Sequence, residues 1–220
     1  MARTALLVGA TGLVGGNVLD LLVADARWSR VIVLARRTVN RADAKIAEHI
    51  VDFEALVDKP ESADVGSEID DVFACLGTTI KVAGSEERFR RVDHDYTVAV
   101  ARLAREAGAR RLALVSSIGA AEKASGFYLR VKGETERDVS DLGYECVVIA
   151  RPSFLVGERS ESRPAERAGI AVASALAPLF LGGFRAYRPI AARDVARSLI
   201  RAISTGEPGH HVLTHAELVA

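Results

Sequence analysis

The sequence predicts an α/β fold, a doubly wound parallel sheet of about seven strands with helices on both faces. Short runs rich in Val, Leu and Ile, without polar alternation, read as strands buried on both sides. Longer segments with helical spacing separate them, and alternation of this kind builds right-handed βαβ units. A glycine turn leads straight from the first strand into the first helix.

Taken in order, "TALLVGA" is the first strand and "LVGGNVLDLLVADA" the first helix, with Val14, Val18, Leu21 and Leu22 on one stripe. "VIVLA" is the second strand, and a third precedes "VDFE". "DVFACLG", "RLALVSS" and "YECVVIA" supply the fourth, fifth and sixth. Before the fifth, "SEERFRRVDHDYTVAVARLAREAG" reads as a helix opened by Ser85 and two acids and closed at Gly108. "HHVLT" is the last strand. The polar stretch 157–169, "GERSESRPAERAG", marks the exit from the sheet into a smaller C-terminal part.

At 220 residues the chain suits a single domain, 1–220, with 153–190 as a substrate-side lid within it. Lys plus Arg and Asp plus Glu balance at 29 each, which argues against a nucleic-acid or anionic-membrane partner, since both call for a basic surplus. The expected partner is a small-molecule substrate. Cys75 and Cys146 lie inside apolar runs and read as buried free thiols. The N-terminal apolar run goes directly into the glycine turn and lacks a secretory cleavage pattern, so cytoplasmic residence is expected. Residues 168–184, "AGIAVASALAPLFLGGF", carry no charge, but they are short for a membrane span and are broken by Pro178, Gly182 and Gly183. A buried helix or a lid over a pocket is the reading, and a face for a second copy of the chain, making a homodimer, stays open.

The glycine turn is the most informative stretch. In "LLVGATGLVGGNVL", Gly9 permits a tight turn, Gly12 lets backbone approach a pyrophosphate, and Gly15 lets the helix pack on the strand. Free N–H groups at the helix start, with the helix dipole, favour phosphate. Thr11, Leu13 and Val14 belong to the same dinucleotide-binding turn. The second strand ends at Arg36 and Arg37, where an acidic residue would accept bonds from the ribose hydroxyls of NAD. Guanidinium groups instead suit a 2′-phosphate by charge and forked geometry, which favours NADP. Asp52 and Phe53, after the third strand, are placed to meet the adenine edge and face.

The fifth strand ends in "LVSSIGA", putting Ser116 and Ser117 at the carboxyl edge, where ligands of open α/β sheets bind. Tyr128 and Lys132 follow one turn apart on one helix face. A free phenol ionises near pH 10, and a neighbouring ammonium favours the phenolate and eases proton transfer. No metal site is expected. His49, His94, His210, His211 and His215 are dispersed or near the chain end, and Asp93 and Asp95 of "VDHDY" cannot share one helical face, so they read as solvent or packing contacts.

Together, GxxGxxG, the strand-end serine and YxxxK resemble the short-chain dehydrogenase/reductase superfamily, with its Rossmann-type NAD(P)-binding fold. "CLGTT", "YLRVKGE" and "RPSFLVGER" resemble its atypical branch, near the HIV Tat-interacting protein family. The resemblance implies that Tyr128 is the general acid/base, that Lys132 assists it and binds the nicotinamide ribose, and that Ser117 orients a substrate carbonyl. It also implies that Cys75, Leu76, Gly77 and Thr78 line the cofactor and that Pro152 packs at the nicotinamide. The implied activity is an NADP-dependent oxidoreductase. An NADPH-binding regulator without turnover, or an epimerase or dehydratase with tightly held cofactor, is the alternative.

Overall fold

The computed structural model describes residues 2–59, 63–66, 68–157 and 188–220. Seven strands pair throughout in parallel, in the order β3-β2-β1-β4-β5-β6-β9. They are β1 (Arg3–Val8), β2 (Trp28–Ala35), β3 (Ile46–Ile50), β4 (Asp71–Ala74), β5 (Arg111–Val115), β6 (Cys146–Ala150) and β9 (Gly209–Leu213). Strand order reverses at β1, between β2 and β4, and this reversal opens a crevice at the carboxyl ends of the strands.

Helices cover both faces. On one side α1 (Leu13–Ala24) and α7 (Ala192–Thr205) bury Val14, Val18 and Leu22 against Val195, Leu199 and Ile203. Leu21 is half-buried at the margin of that cluster. On the other side α2 (Phe53–Asp58), α5 (Tyr96–Glu106) and α6 (Phe127–Ser140) bury Phe53, Leu56, Val100, Leu103 and Val139. Both cysteines are free and buried, and burial pushes the Cys75 thiol up to about 12.

The segment expected as one helix from Ser85 is three pieces. Ser85 caps α4 (Glu86–Arg90) by accepting from Arg88 N at 3.1 Å, a π-helical turn follows over Arg91–Asp95, and α5 completes the run. Short α3 (Ile80–Ala83) precedes it. The C-terminal residues that are described return to the same sheet: β9 pairs with β6, and α8 (His215–Leu218) follows it. The ends of the expected lid also meet, since β7 (Leu155–Val156) pairs in parallel with β8 (Ile190–Ala191). The uncharged stretch 168–184 and most of the polar stretch 157–169 lie outside the described residues.

At the amino edge of the sheet, Asp71 joins the first residues of four strands. Its carboxylate accepts from Trp28 Nε1 at 2.7 Å and from Arg111 Nε, and lies 3.4 Å from Arg3 Nη1. Burial raises its pKa, and the two guanidinium groups oppose that rise.

At the carboxyl edge, a missing side chain sets the geometry. Gly133 lies buried inside α6, and a Cβ there would fall 2.2 Å from the carbonyl carbon of Ala121. Helix α6 therefore rests directly on the loop after β5, and Ala121 N donates to Leu129 O at 3.2 Å across that contact. Gly133→Ala is expected to destabilise the protein by about 2 kcal/mol, because backbone rather than a flexible side chain blocks the methyl. Gly16→Ala, inside α1 with its nearest neighbour 3.4 Å away, should leave stability unchanged or raise it. Urea denaturation midpoints of both variants test this, and an unshifted Gly133→Ala midpoint refutes the close approach.

Candidate cofactor and active site

Gly9 adopts a left-handed conformation (φ 85°), and a Cβ there would lie 2.3 Å from the carbonyl oxygen of Cys75. The turn after β1 thus presses against the start of the "CLGTT" loop after β4. A Cβ at Gly15 would lie 2.1 Å from Gly9 O, so α1 packs onto the turn itself. Gly12 is the exposed N-cap of α1 and has no side-chain cap, while its own N–H donates to Gly9 O at 2.9 Å. The first N–H groups of the helix, from Leu13, Val14 and Gly15, lack intrahelical partners. Thr11 is exposed beside them. A bare, capless helix start behind a glycine turn fits a pyrophosphate.

Beyond the ends of β2 and β3 lies a cavity of about 520 Å³ lined by Arg36, Ile50, Val51, Asp52, Phe53, Glu54 and Tyr96. Asp52 caps α2, accepting from Glu54 N at 2.9 Å. Phe53 is buried with its ring 5.4 Å from that of Tyr96. The Tyr96 hydroxyl donates to Glu54 Oε1 at 2.5 Å, and Arg91 Nε donates to Glu54 Oε2 at 2.7 Å. These two donors hold the Glu54 carboxyl below its usual range. Burial, reinforced by the Glu54 bond, pushes Tyr96 up to about 12, so its hydroxyl is a fixed donor at neutral pH. Arg36 lines this cavity, and Arg37 stands exposed next to it in the chain. Ile50, Glu54 and Tyr96 escaped the sequence reading, because pairing of β3 with β2 brings Ile50 to Arg36, and packing of α2 against α5 brings Glu54 and Tyr96.

The two serines after β5 differ in their commitments. Ser116 is buried, and its hydroxyl donates to Glu136, which Arg151 Nη2 grips at 2.5 Å. Ser117 is half-buried, and its hydroxyl makes one long contact, 3.4 Å, to Ile118 O. Ser117 is therefore the serine whose hydroxyl is available to a ligand. Pro152, buried after β6, accepts from Ile118 N at 2.9 Å and so ties the two loops together.

Tyr128 lies in the first turn of α6, half-buried, with its ring 5.4 Å from buried Phe89. Lys132, one turn on, is buried, and its Nζ lies 2.7 Å from Asp93 Oδ1. That contact falls outside hydrogen-bond angles, so charge rather than a directed bond holds it. Asp93 Oδ2 accepts from Thr78 N at 2.9 Å, which fixes the loop of Cys75, Leu76, Gly77 and Thr78 to the same carboxylate. Of the solvent and packing contacts expected for Asp93, the structure shows a buried one, an ion pair between packed elements. Asp93 lies within the π turn, four residues from buried Phe89 and four from buried Thr97, and such turns recur at functional sites. His94, on the same turn, is held between Asp95 at 2.7 Å and Asp138 at 2.8 Å. Among the described residues, no group of three His, Cys, Asp or Glu is arranged to hold a metal ion.

The chain matches the NAD(P)H-binding protein family over residues 9–205. It is 37% identical over 179 residues to Protein fmp52, mitochondrial, of Emericella nidulans, covering 80% of this chain and 76% of that one. Protein HTATIP2 of Rattus norvegicus is 36% identical over 167 residues, covering 74% of this chain and 67% of that one. MoeE5, solved in complex with UDP-glucose and NAD, superposes with a TM-score of 0.68 at 19% identity, over 98% of this chain and 79% of that one. At that identity the likeness shows the fold alone. The mitochondrial designation shared by fungal relatives overturns the expectation of cytoplasmic residence. Absence of a secretory leader pattern speaks only to secretion and carries no information on an organelle. Among the described residues no helix is long and apolar enough to cross a membrane. With the family match, a close relative and the sheet order in agreement, the chain belongs to the NAD(P)H-binding family as an atypical short-chain dehydrogenase/reductase close to HTATIP2.

Proposed function

We propose that the protein is an NADP-dependent oxidoreductase acting on a small carbonyl or alcohol substrate. The observation that carries this reading is the presence on α6 of a half-exposed phenol, Tyr128, and a buried ammonium, Lys132, one turn farther on, with Ser117 on the loop after β5 that packs against that helix. When bound, the dinucleotide supplies or accepts a hydride at C4 of its nicotinamide. The start of α1 and Gly12 hold the pyrophosphate, and Asp52 and Phe53 face the adenine. Arg36, with Arg37, meets the 2′-phosphate. In the reducing direction Tyr128 donates its hydroxyl proton to the substrate oxygen while hydride arrives at the carbonyl carbon, and Ser117 donates a hydrogen bond that orients that oxygen. Lys132 binds the nicotinamide ribose, with the loop through Thr78 along its edge.

Tyr128→Phe removes the transferable proton without altering the ring packed on Phe89. It is expected to reduce turnover at least about a hundredfold while leaving NADPH affinity within about threefold. A screen of carbonyl compounds followed by NADPH absorbance, run beside direct cofactor titration, measures both. Unchanged turnover removes the acid/base role, and tight cofactor binding with silence across the screen favours a cofactor-binding regulator.

Arg36→Ala is expected to weaken NADPH about tenfold while changing NADH less than twofold, since only the former carries the phosphate that guanidinium grips. Dissociation constants for the two cofactors test this. An equal loss for both shows that Arg36 shapes the cavity without reading the phosphate.

A further inference from the structure

Lys132 and Asp93 form a charge pair from which water is excluded: their side chains are 7% and 0% exposed. A buried charge pair is hard to explain by stability alone, because desolvation offsets its attraction. The surroundings sharpen the question. Glu136 is paired with Arg151, Glu134 with Arg90, and His94 lies between Asp95 and Asp138, so these neighbours carry their own partners. Among the described residues, the polar groups that meet the Asp93 carboxylate are Lys132 Nζ and the Thr78 N–H, and its Oδ1 has no directed hydrogen bond. It occupies the one place on the π turn that touches both the cofactor-lining loop and the lysine of α6.

A nicotinamide ring gains a full positive charge when it is oxidised. A lone buried ammonium beside it opposes that charge, whereas an ammonium neutralised by a carboxylate does not. We propose that Asp93 sets the balance between oxidised and reduced cofactor, by cancelling the field of Lys132 at the nicotinamide end of the site. The inference rests on the dinucleotide reading above and adds to it a residue that adjusts the relative affinity for the two redox forms.

The test needs no substrate. Dissociation constants for NADP⁺ and NADPH are measured by calorimetric titration on the full chain and on Asp93→Asn, Lys132→Met and the double variant. Asp93→Asn is expected to raise the ratio of the NADP⁺ constant to the NADPH constant by about fivefold or more, the effect of one uncompensated charge at an intermediate dielectric. Lys132→Met leaves the carboxylate alone and is expected to lower the same ratio. The double variant should return to within about twofold of the parent, as a coupled pair requires. A merely structural role weakens both redox forms alike, and a ratio that stays fixed in both single variants overturns the proposal, as does a shift of both in one direction. If Asp93→Asn fails to fold, the sign of the Lys132→Met shift decides. A parent protein that binds neither cofactor refutes the dinucleotide reading itself, and one that binds both with an unmoved ratio refutes this inference alone.

Discussion

Lys132 can be buried only because Asp93 is buried with it. An unpaired ammonium in the interior carries a desolvation cost of several kcal/mol, and removing either partner leaves that cost uncompensated. The geometry of the carboxyl edge follows from meeting this requirement. The carboxylate must come from a neighbouring element, which fixes the separation of α6 from the π turn. Its second oxygen takes the Thr78 N–H, which fixes the loop after β4. Three segments distant in the chain are thereby held about one ion pair, and each borders the crevice where strand order reverses.

Backbone contact completes that edge from the other direction. Gly9 lies against the carbonyl of Cys75, Gly15 against the carbonyl of Gly9, and Gly133 against the Ala121–Glu122 peptide. At each point a side chain is absent so that main chain can lie on main chain. The crevice is therefore bounded by peptide groups whose N–H and C=O dipoles have fixed directions, which suits the recognition of phosphate better than mobile side chains do. The opposite edge is built otherwise. There Asp71 gathers Arg3, Trp28 and Arg111 at the beginnings of four strands, a polar cluster in which one carboxylate faces two guanidinium groups.

Within the cofactor half the π turn has two duties. Arg91 and Tyr96, at its two ends, hold Glu54 against the adenosine cavity, while Asp93 between them holds Lys132. One irregular turn thus positions both Glu54 at the cavity beyond β2 and β3 and Lys132 on α6. The two serines after β5 show a similar division of labour. Ser116 spends its hydroxyl on the Glu136–Arg151 pair and stiffens the strand end, and Ser117, one residue on, makes only a long contact and keeps its own available.

The strands, the main helices and the glycine turn were legible in the sequence because their signals are local. Strands buried on both faces must be continuous apolar runs, and a helix that starts at a phosphate must be preceded by residues without side chains. The spacing of Tyr128 and Lys132 belongs to the same class, since four residues on a helix always share a face. What the chain alone could not reveal was which groups those residues meet. The pairing of Asp93 with Lys132 depends on how α6 lies against the π turn. The choice between Ser116 and Ser117 depends on where Glu136 of α6 arrives, and the lining of the adenosine cavity by Glu54 and Tyr96 depends on how α2 lies against α5. The sequence determined the elements through short-range sterics and periodicity; the tertiary structure decided the partners, because pairing a buried charge or a buried hydroxyl depends on distances between segments that lie far apart along the chain.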